Sequence, residues 1–91
     1  MFSSHVSDQF MYSVYILYSE SFKRYYVGYT NDLIRRVSEH NRKKGKFTDA
    51  GIPWKLVHTE LYSTKKEAMA REKFIKRKKS KSFILEILNS R

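Results

Sequence analysis

Val14-Tyr15-Ile16-Leu17 and, downstream, Tyr26-Val27-Gly28 running into Asn31-Asp32-Leu33-Ile34-Arg35-Arg36-Val37-Ser38-Glu39-His40-Asn41 decide how this chain folds. Met11 to Leu17 is apolar and aromatic almost throughout. Its shortness and its β-branched content predict a strand rather than a helix. Tyr25 to Tyr29 predicts a second strand, and the polar stretch Ser19 to Arg24 makes the pair a hairpin. Thr30 or Asn31 can cap the helix that follows, with Asp32 in its first turn, where negative charge suits the helix dipole. Leu33, Ile34 and Val37 supply an apolar stripe, and the helix ends near Asn41.

Beyond it, Arg42-Lys43-Lys44-Gly45-Lys46 is a basic loop with a glycine breaker, continuing to Pro53. Trp54 to Tyr62 alternates well enough for a third strand, with Trp54, Leu56, His58 and Glu60 on one face, although neither face is cleanly apolar. Thr64-Lys65-Lys66-Glu67 is a capping-box pattern. The helix it opens carries Ala68, Met69, Glu72 and Ile75 and ends within the charge run Lys76 to Lys81. Ser82 can cap a last helix that turns Phe83, Ile84, Ile87 and Leu88 inward. The order ββαβαα predicts an α+β fold, a small three-stranded, mostly antiparallel sheet flanked by helices. Residues 11–91 form one domain, and the polar, aperiodic residues 1–10 read as a disordered lead-in.

Ninety-one residues bury roughly 60–65% of the unfolded surface, so the core is thin. There are no cysteines, which excludes disulfides and thiolate metal sites, and the three histidines show no ligand spacing. No apolar run approaches a membrane span, and the first ten residues lack the features of a signal peptide, so a cytoplasmic location is expected. The formal net charge is +10. Residues 23–46 carry eight Lys/Arg against two acids, and residues 65–81 carry nine against two. A lysine run is commonly just a solvated face. At this excess the better use is a polyanion, and nucleic acid is the expected partner. Such charge reads phosphate rather than base.

Some residues in this frame could do chemistry. Arg36 and His40 lie one helical turn apart on one face, with Arg35 and Glu39 beside them. An arginine fork can stabilise charge that builds on a phosphodiester. Tyr15 and Tyr26 sit on neighbouring strands and could flank one phosphate. A tyrosine can orient or deprotonate water if nearby cations lower its pKa from about 10. Glu72, set on the inner face of a basic helix, could ligate Mg²⁺ or simply pair with Arg71, Lys73 or Lys76.

The succession Tyr15, Tyr26-Val27-Gly28, Leu33-x-x-Arg36-Val37-x-x-His40 and Ala68-x-x-x-Glu72-x-x-Ile75-Lys76 resembles the GIY-YIG endonuclease domain, most of all its small single-domain bacterial members. The likeness spans about residues 11–88, and Pro53-Trp54-x-Leu56-Val57 fits those members too. The resemblance implies a metal-dependent endonuclease acting on DNA, in repair or recombination, with one Mg²⁺ or Mn²⁺ ion held by Glu72. It assigns Tyr15, Tyr26, Arg36, His40 and Glu72 to catalysis, and leaves Tyr25 and Tyr29 structural. Arg35, Lys43, Lys44, Lys46, Lys73, Arg77 and Lys78 are the residues expected to hold the nucleic-acid backbone. Two departures stand out: Ser13-Val14-Tyr15 lacks the glycine of the first motif, and Val27 replaces the isoleucine of the second. Asn89 is the sole late asparagine available to match one used in some members. The alternative is a non-catalytic DNA- or RNA-binding module that keeps the fold and the charge.

Overall fold

The computed structural model describes residues 11–90, so the expected lead-in over residues 1–10 lies outside the described residues. Tyr12–Ser19 (β1) is the middle strand of a three-stranded sheet, flanked by Arg24–Thr30 (β2) and Trp54–Tyr62 (β3), and both pairings are antiparallel. The central position explains the unbroken apolar run of β1. Val14, Tyr15, Ile16 and Leu17 are all buried because both faces of the sheet are covered.

One face packs against two helices, Lys65–Lys78 (α2) and Lys81–Asn89 (α3). Its core is Val14, Ile16 and Val27 against Ala68, Ile75 and Ile87, with Tyr12, Tyr25, Tyr29, Tyr62, Phe83 and Ile84 around it. The opposite face carries Tyr15, Leu17 and Ser19 and is covered by the helix Leu33–His40 (α1) and a 3₁₀ turn, Phe47–Gly51. The Ser19 hydroxyl donates to the Gly51 carbonyl at 2.6 Å and accepts from the Phe22 amide at 3.1 Å. It thereby ties the hairpin to the 3₁₀ turn. Across the sheet, Glu60 accepts from Arg71 through two contacts of 2.9 and 3.1 Å, from the Tyr62 hydroxyl at 2.8 Å, and pairs with the His58 ring at 2.9 Å. This network fastens α2 to β3. Among the described residues, no helix is long and apolar enough to cross a membrane.

The predicted order of elements stands, with local corrections. Asp32 is itself the cap of α1, its carboxylate accepting from the Arg35 amide at 3.2 Å, so neither Thr30 nor Asn31 takes that role. Ser80, rather than Ser82, caps α3, accepting from the Phe83 amide at 3.1 Å. Thr64 caps α2 as expected, accepting from the Glu67 amide. The expected loop before Pro53 contains the 3₁₀ turn. The facing of β3 also changes. Ile16 pairs with His58 but Leu17 pairs with Leu56, so Val57 bulges out. Trp54 and Leu56 therefore lie on the face opposite His58 and Glu60.

Candidate active site

Gly28 organises the site. It faces Tyr15 across the β1–β2 pair, and a β-carbon there would stand 2.5 Å from the Tyr15 hydroxyl oxygen and 2.7 Å from the carbon bearing it. Only a glycine lets the Tyr15 ring lie across β2, which is an edge strand. The hydroxyl thus reaches the margin of the sheet, where α2 arrives from the other face. There Tyr15, Tyr26, Gly28, Arg36 and Glu72 line one cleft of about 370 Å³, together with Tyr12, Tyr29, Thr30, Asn31 and Lys65.

His40, at the end of α1, stands behind the tyrosines. Its Nε2 is 3.3 Å from the Tyr15 hydroxyl, and its ring centre is 4.6 Å from that of Tyr26. Burial lowers the His40 pKa, and the cations of Arg36 and Lys44 lower it further, so the ring is neutral at pH 7. Tyr15 is shifted the other way. Burial, and then the neighbouring Tyr26, push its hydroxyl well above the ordinary tyrosine value, so Tyr15 keeps its proton. Tyr26 is 39% exposed and is the tyrosine that water reaches.

Arg36 brings an incompletely used guanidinium. Its Nε is buried without a hydrogen-bond partner among the described residues and lies 3.9 Å from the nearest Glu39 oxygen. Glu72 is mostly enclosed and pairs with Lys76 at 2.9 Å, while the Lys76 ammonium stands 5.8 Å from the centre of the Tyr26 ring. The described residues contain no group of three or more histidine or acidic side chains able to hold a metal ion. Glu72 is the one carboxylate among the residues lining the cleft, and a hard cation of the magnesium kind takes one or two carboxylates and fills its remaining positions with water and substrate phosphate.

All five residues expected to be catalytic therefore converge. The expected backbone-holding residues divide. Lys44 and Lys46 line a second cleft with Tyr26, His40, Arg42 and Trp54. Lys43 is exposed on the same loop, while Arg35 is engaged by Asp32 and Glu39, each at 3.4 Å. Lys73 lies in a separate groove with Lys65, Lys66, Met69 and Ala70. Arg77 is exposed, and Lys78 covers Phe74 and Phe83 at 5.0 and 5.4 Å. Sequence reading missed Arg42 and Lys65 as lining residues, each inside a basic run with nothing to single it out. It named Lys76 among the possible partners of Glu72 but not the reach of Lys76 to Tyr26.

The GIY-YIG catalytic domain matches residues 11–84, and the chain belongs to the GIY-YIG family, whose domain is of nuclease type. Among its relatives are small proteins of the UPF0213 group. The chain is 46% identical to the UPF0213 protein YazA of Bacillus subtilis over 71 residues, 74% of this chain and 72% of that protein. It is 48% identical to a UPF0213 protein of Streptococcus pneumoniae over 56 residues, 60% of this chain and 57% of that protein, so it spans little more than half the length of that relative. The solution structure of the UPF0213 protein BH0048 of Bacillus halodurans is similar, with a TM-score of 0.58 at 28% identity, covering 89% of this chain and 85% of that one.

Proposed function

We propose that the chain is a metal-dependent endonuclease that hydrolyses DNA phosphodiester bonds at this cleft. The observation that carries the reading is the convergence of Tyr15, Tyr26, Arg36 and Glu72 around Gly28, with neutral His40 behind them. Tyr15, protonated and buried, orients the site by its hydrogen bond with His40. Water enters beside Tyr26 and attacks phosphorus, the bond to the leaving oxygen breaks, the proton that water loses passes to the neutral His40 ring beside Tyr26, and the leaving oxygen takes a proton from solvent. The Arg36 guanidinium meets the charge that grows on the non-bridging oxygens. Glu72 is the residue that would hold a Mg²⁺ or Mn²⁺ ion, whose charge would stabilise the phosphate and leaving oxygens. Lys43, Lys44 and Lys46 hold the strand on one side. Lys73, Arg77 and Lys78 on α2 hold a second length of backbone. DNA repair or recombination in the cytoplasm is the setting that fits such an activity.

One observation favours the alternative of a binding module without catalysis. The Lys76 ammonium already neutralises Glu72 at 2.9 Å, as a bound cation otherwise would. Cleavage assays on duplex, single-stranded and branched DNA, with RNA alongside, separate the two. The nuclease reading expects metal-dependent cleavage of DNA that Arg36→Ala and Glu72→Ala both abolish. Retained cleavage in both variants, or salt-sensitive binding with no cleavage by the parent chain, would defeat it.

A further inference from the structure

Phe47 displays an aromatic ring to solvent at 82% exposure, in the midst of the basic loop. The ring is built in. It stacks on Phe22 with centres 5.5 Å apart and planes 22° apart. Phe22 meets Trp54 edge-on at 6.2 Å, and Trp54 meets Tyr26 at 6.4 Å. A row of rings therefore leads from the catalytic cleft to the surface.

The scaffold of this row is fixed by polar contacts. The Asn41 side chain, at the end of α1, accepts from the Trp54 amide at 2.6 Å and donates to its carbonyl at 3.0 Å. The Asp49 carboxylate accepts from the amides of Lys44, Gly45 and Lys46, and those bonds, the Lys44 one foremost, hold its pKa low. A β-carbon at Gly51 would come within 2.8 Å of Phe22 and 2.9 Å of Trp54, so the close approach of the 3₁₀ turn to both rings needs glycine. Cations accompany the row. Arg24 lines the shallow cleft between Phe22 and Phe47, while Arg42, Lys44 and Lys46 line the one beside Trp54.

Rings accompanied by cations match an unpaired nucleotide, whose base offers a free face and whose phosphate pairs with a cation. A base within a duplex has both faces already stacked. We propose that Phe22 and Phe47 form a stacking subsite for an unpaired nucleobase of the substrate strand, so that the preferred substrate has a single-stranded stretch beside the scissile phosphate. The proposal rests on nucleic acid being what the cleft acts on.

The test measures binding separately from cleavage. Fluorescence anisotropy on the full chain carrying Glu72→Gln compares a labelled single strand of about 12 nucleotides with a duplex of the same sequence at one salt concentration. Phe47→Ala is expected to weaken single-strand binding about tenfold and duplex binding less than twofold, and Phe47→Trp to restore it. Because Phe47 is exposed, its truncation leaves the fold intact, which circular dichroism checks. Equal single-strand affinity with and without the ring would overturn the proposal, as would a loss of the same size on duplex. Cleavage by the parent chain, measured separately, keeps the two readings apart. A parent chain that fails to cleave, combined with selective loss of single-strand binding in Phe47→Ala, removes the nuclease and leaves the subsite. The reverse pattern removes the subsite alone.

Discussion

Tyr15 stands directly across the sheet from Gly28, and the space a β-carbon would fill at residue 28 is taken by the tyrosine hydroxyl. Hairpin register, glycine and tyrosine are thus one device. It carries a buried side chain over an edge strand to the cleft that Arg36 and Glu72 reach from α1 and α2.

Gly28→Ala should therefore displace Tyr15. We expect a loss of about 1–3 kcal/mol in stability, the usual cost of overpacking, and a fall in cleavage of at least about tenfold. Thermal melts and single-turnover cleavage check both. A melting temperature and rate equal to the parent's would mean that Tyr15 is not held at that position.

Glu60 sets the acid limit of the fold. Burial alone would raise its pKa, but hydrogen bonds from Arg71, His58 and Tyr62 outweigh burial and hold it at about 2, against an ordinary value of 4.5. Because the folded pKa is depressed, the stabilisation is complete above the unfolded value and is lost as pH falls toward the folded one. The parent chain should therefore lose stability between about pH 5 and pH 2, by an amount on the order of 2–3 kcal/mol from this group. Glu60→Gln should be less stable at pH 7 and show a flatter curve over that window in urea titrations. An unchanged slope would contradict this.

In the proposed mechanism His40 sets the acid limit of activity. Burial, Arg36 and Lys44 all lower its pKa below the usual 6.5, and the mechanism uses the neutral ring. The acid limb of the cleavage profile is expected below about pH 6.5. Lys44→Ala removes one of the cations, so the limb should move upward toward that value in kcat. A limb that stays in place would mean that another group controls it.

Lys44 and Lys46 line the second cleft, beside Tyr26 and His40, and each phosphate they meet would release counterions on binding. The double substitution to alanine should reduce the magnitude of the salt slope of DNA binding by about 1 to 2 units in a log–log plot. An identical slope would take both lysines off the binding path.

The fold was legible wherever local chemistry decided it. The tyrosine-rich strands, the third strand with its bounds Trp54–Tyr62 and the Thr64 cap all followed from residue type and spacing. What escaped depends on pairing between distant segments. The bulge at Val57 exists only through its register with Ile16 and Leu17, and the 3₁₀ turn is too short for a periodic signal. Asp32 and Ser80 compete with neighbours of equal capping ability, and only the path of the chain chooses between them. The grouping of the candidate site was legible as an ordered set of residue types, Tyr15, Tyr26, Arg36, His40 and Glu72, which the structure brings together. The roles within it were not. That Tyr15 keeps its proton while Tyr26 meets water is a matter of burial, and the reach of Lys76 to both Glu72 and Tyr26 needs α2 docked at the sheet edge.

Whether Glu72 serves a metal-dependent hydrolysis of DNA at this cleft is decided by one comparison. Single-turnover cleavage of DNA is measured with and without added Mg²⁺ or Mn²⁺ for the parent chain and for Glu72→Gln, each checked by thermal melting. Lys76 is half exposed and stays solvated without its partner, so loss of the Glu72–Lys76 pair should cost on the order of 1 kcal/mol and the variant folds. The parent is expected to cleave only when metal is added, and the variant at a rate at least about 100-fold lower. A folded Glu72→Gln chain that cleaves at the parental rate, or a parent chain that cleaves equally well without metal, would contradict it.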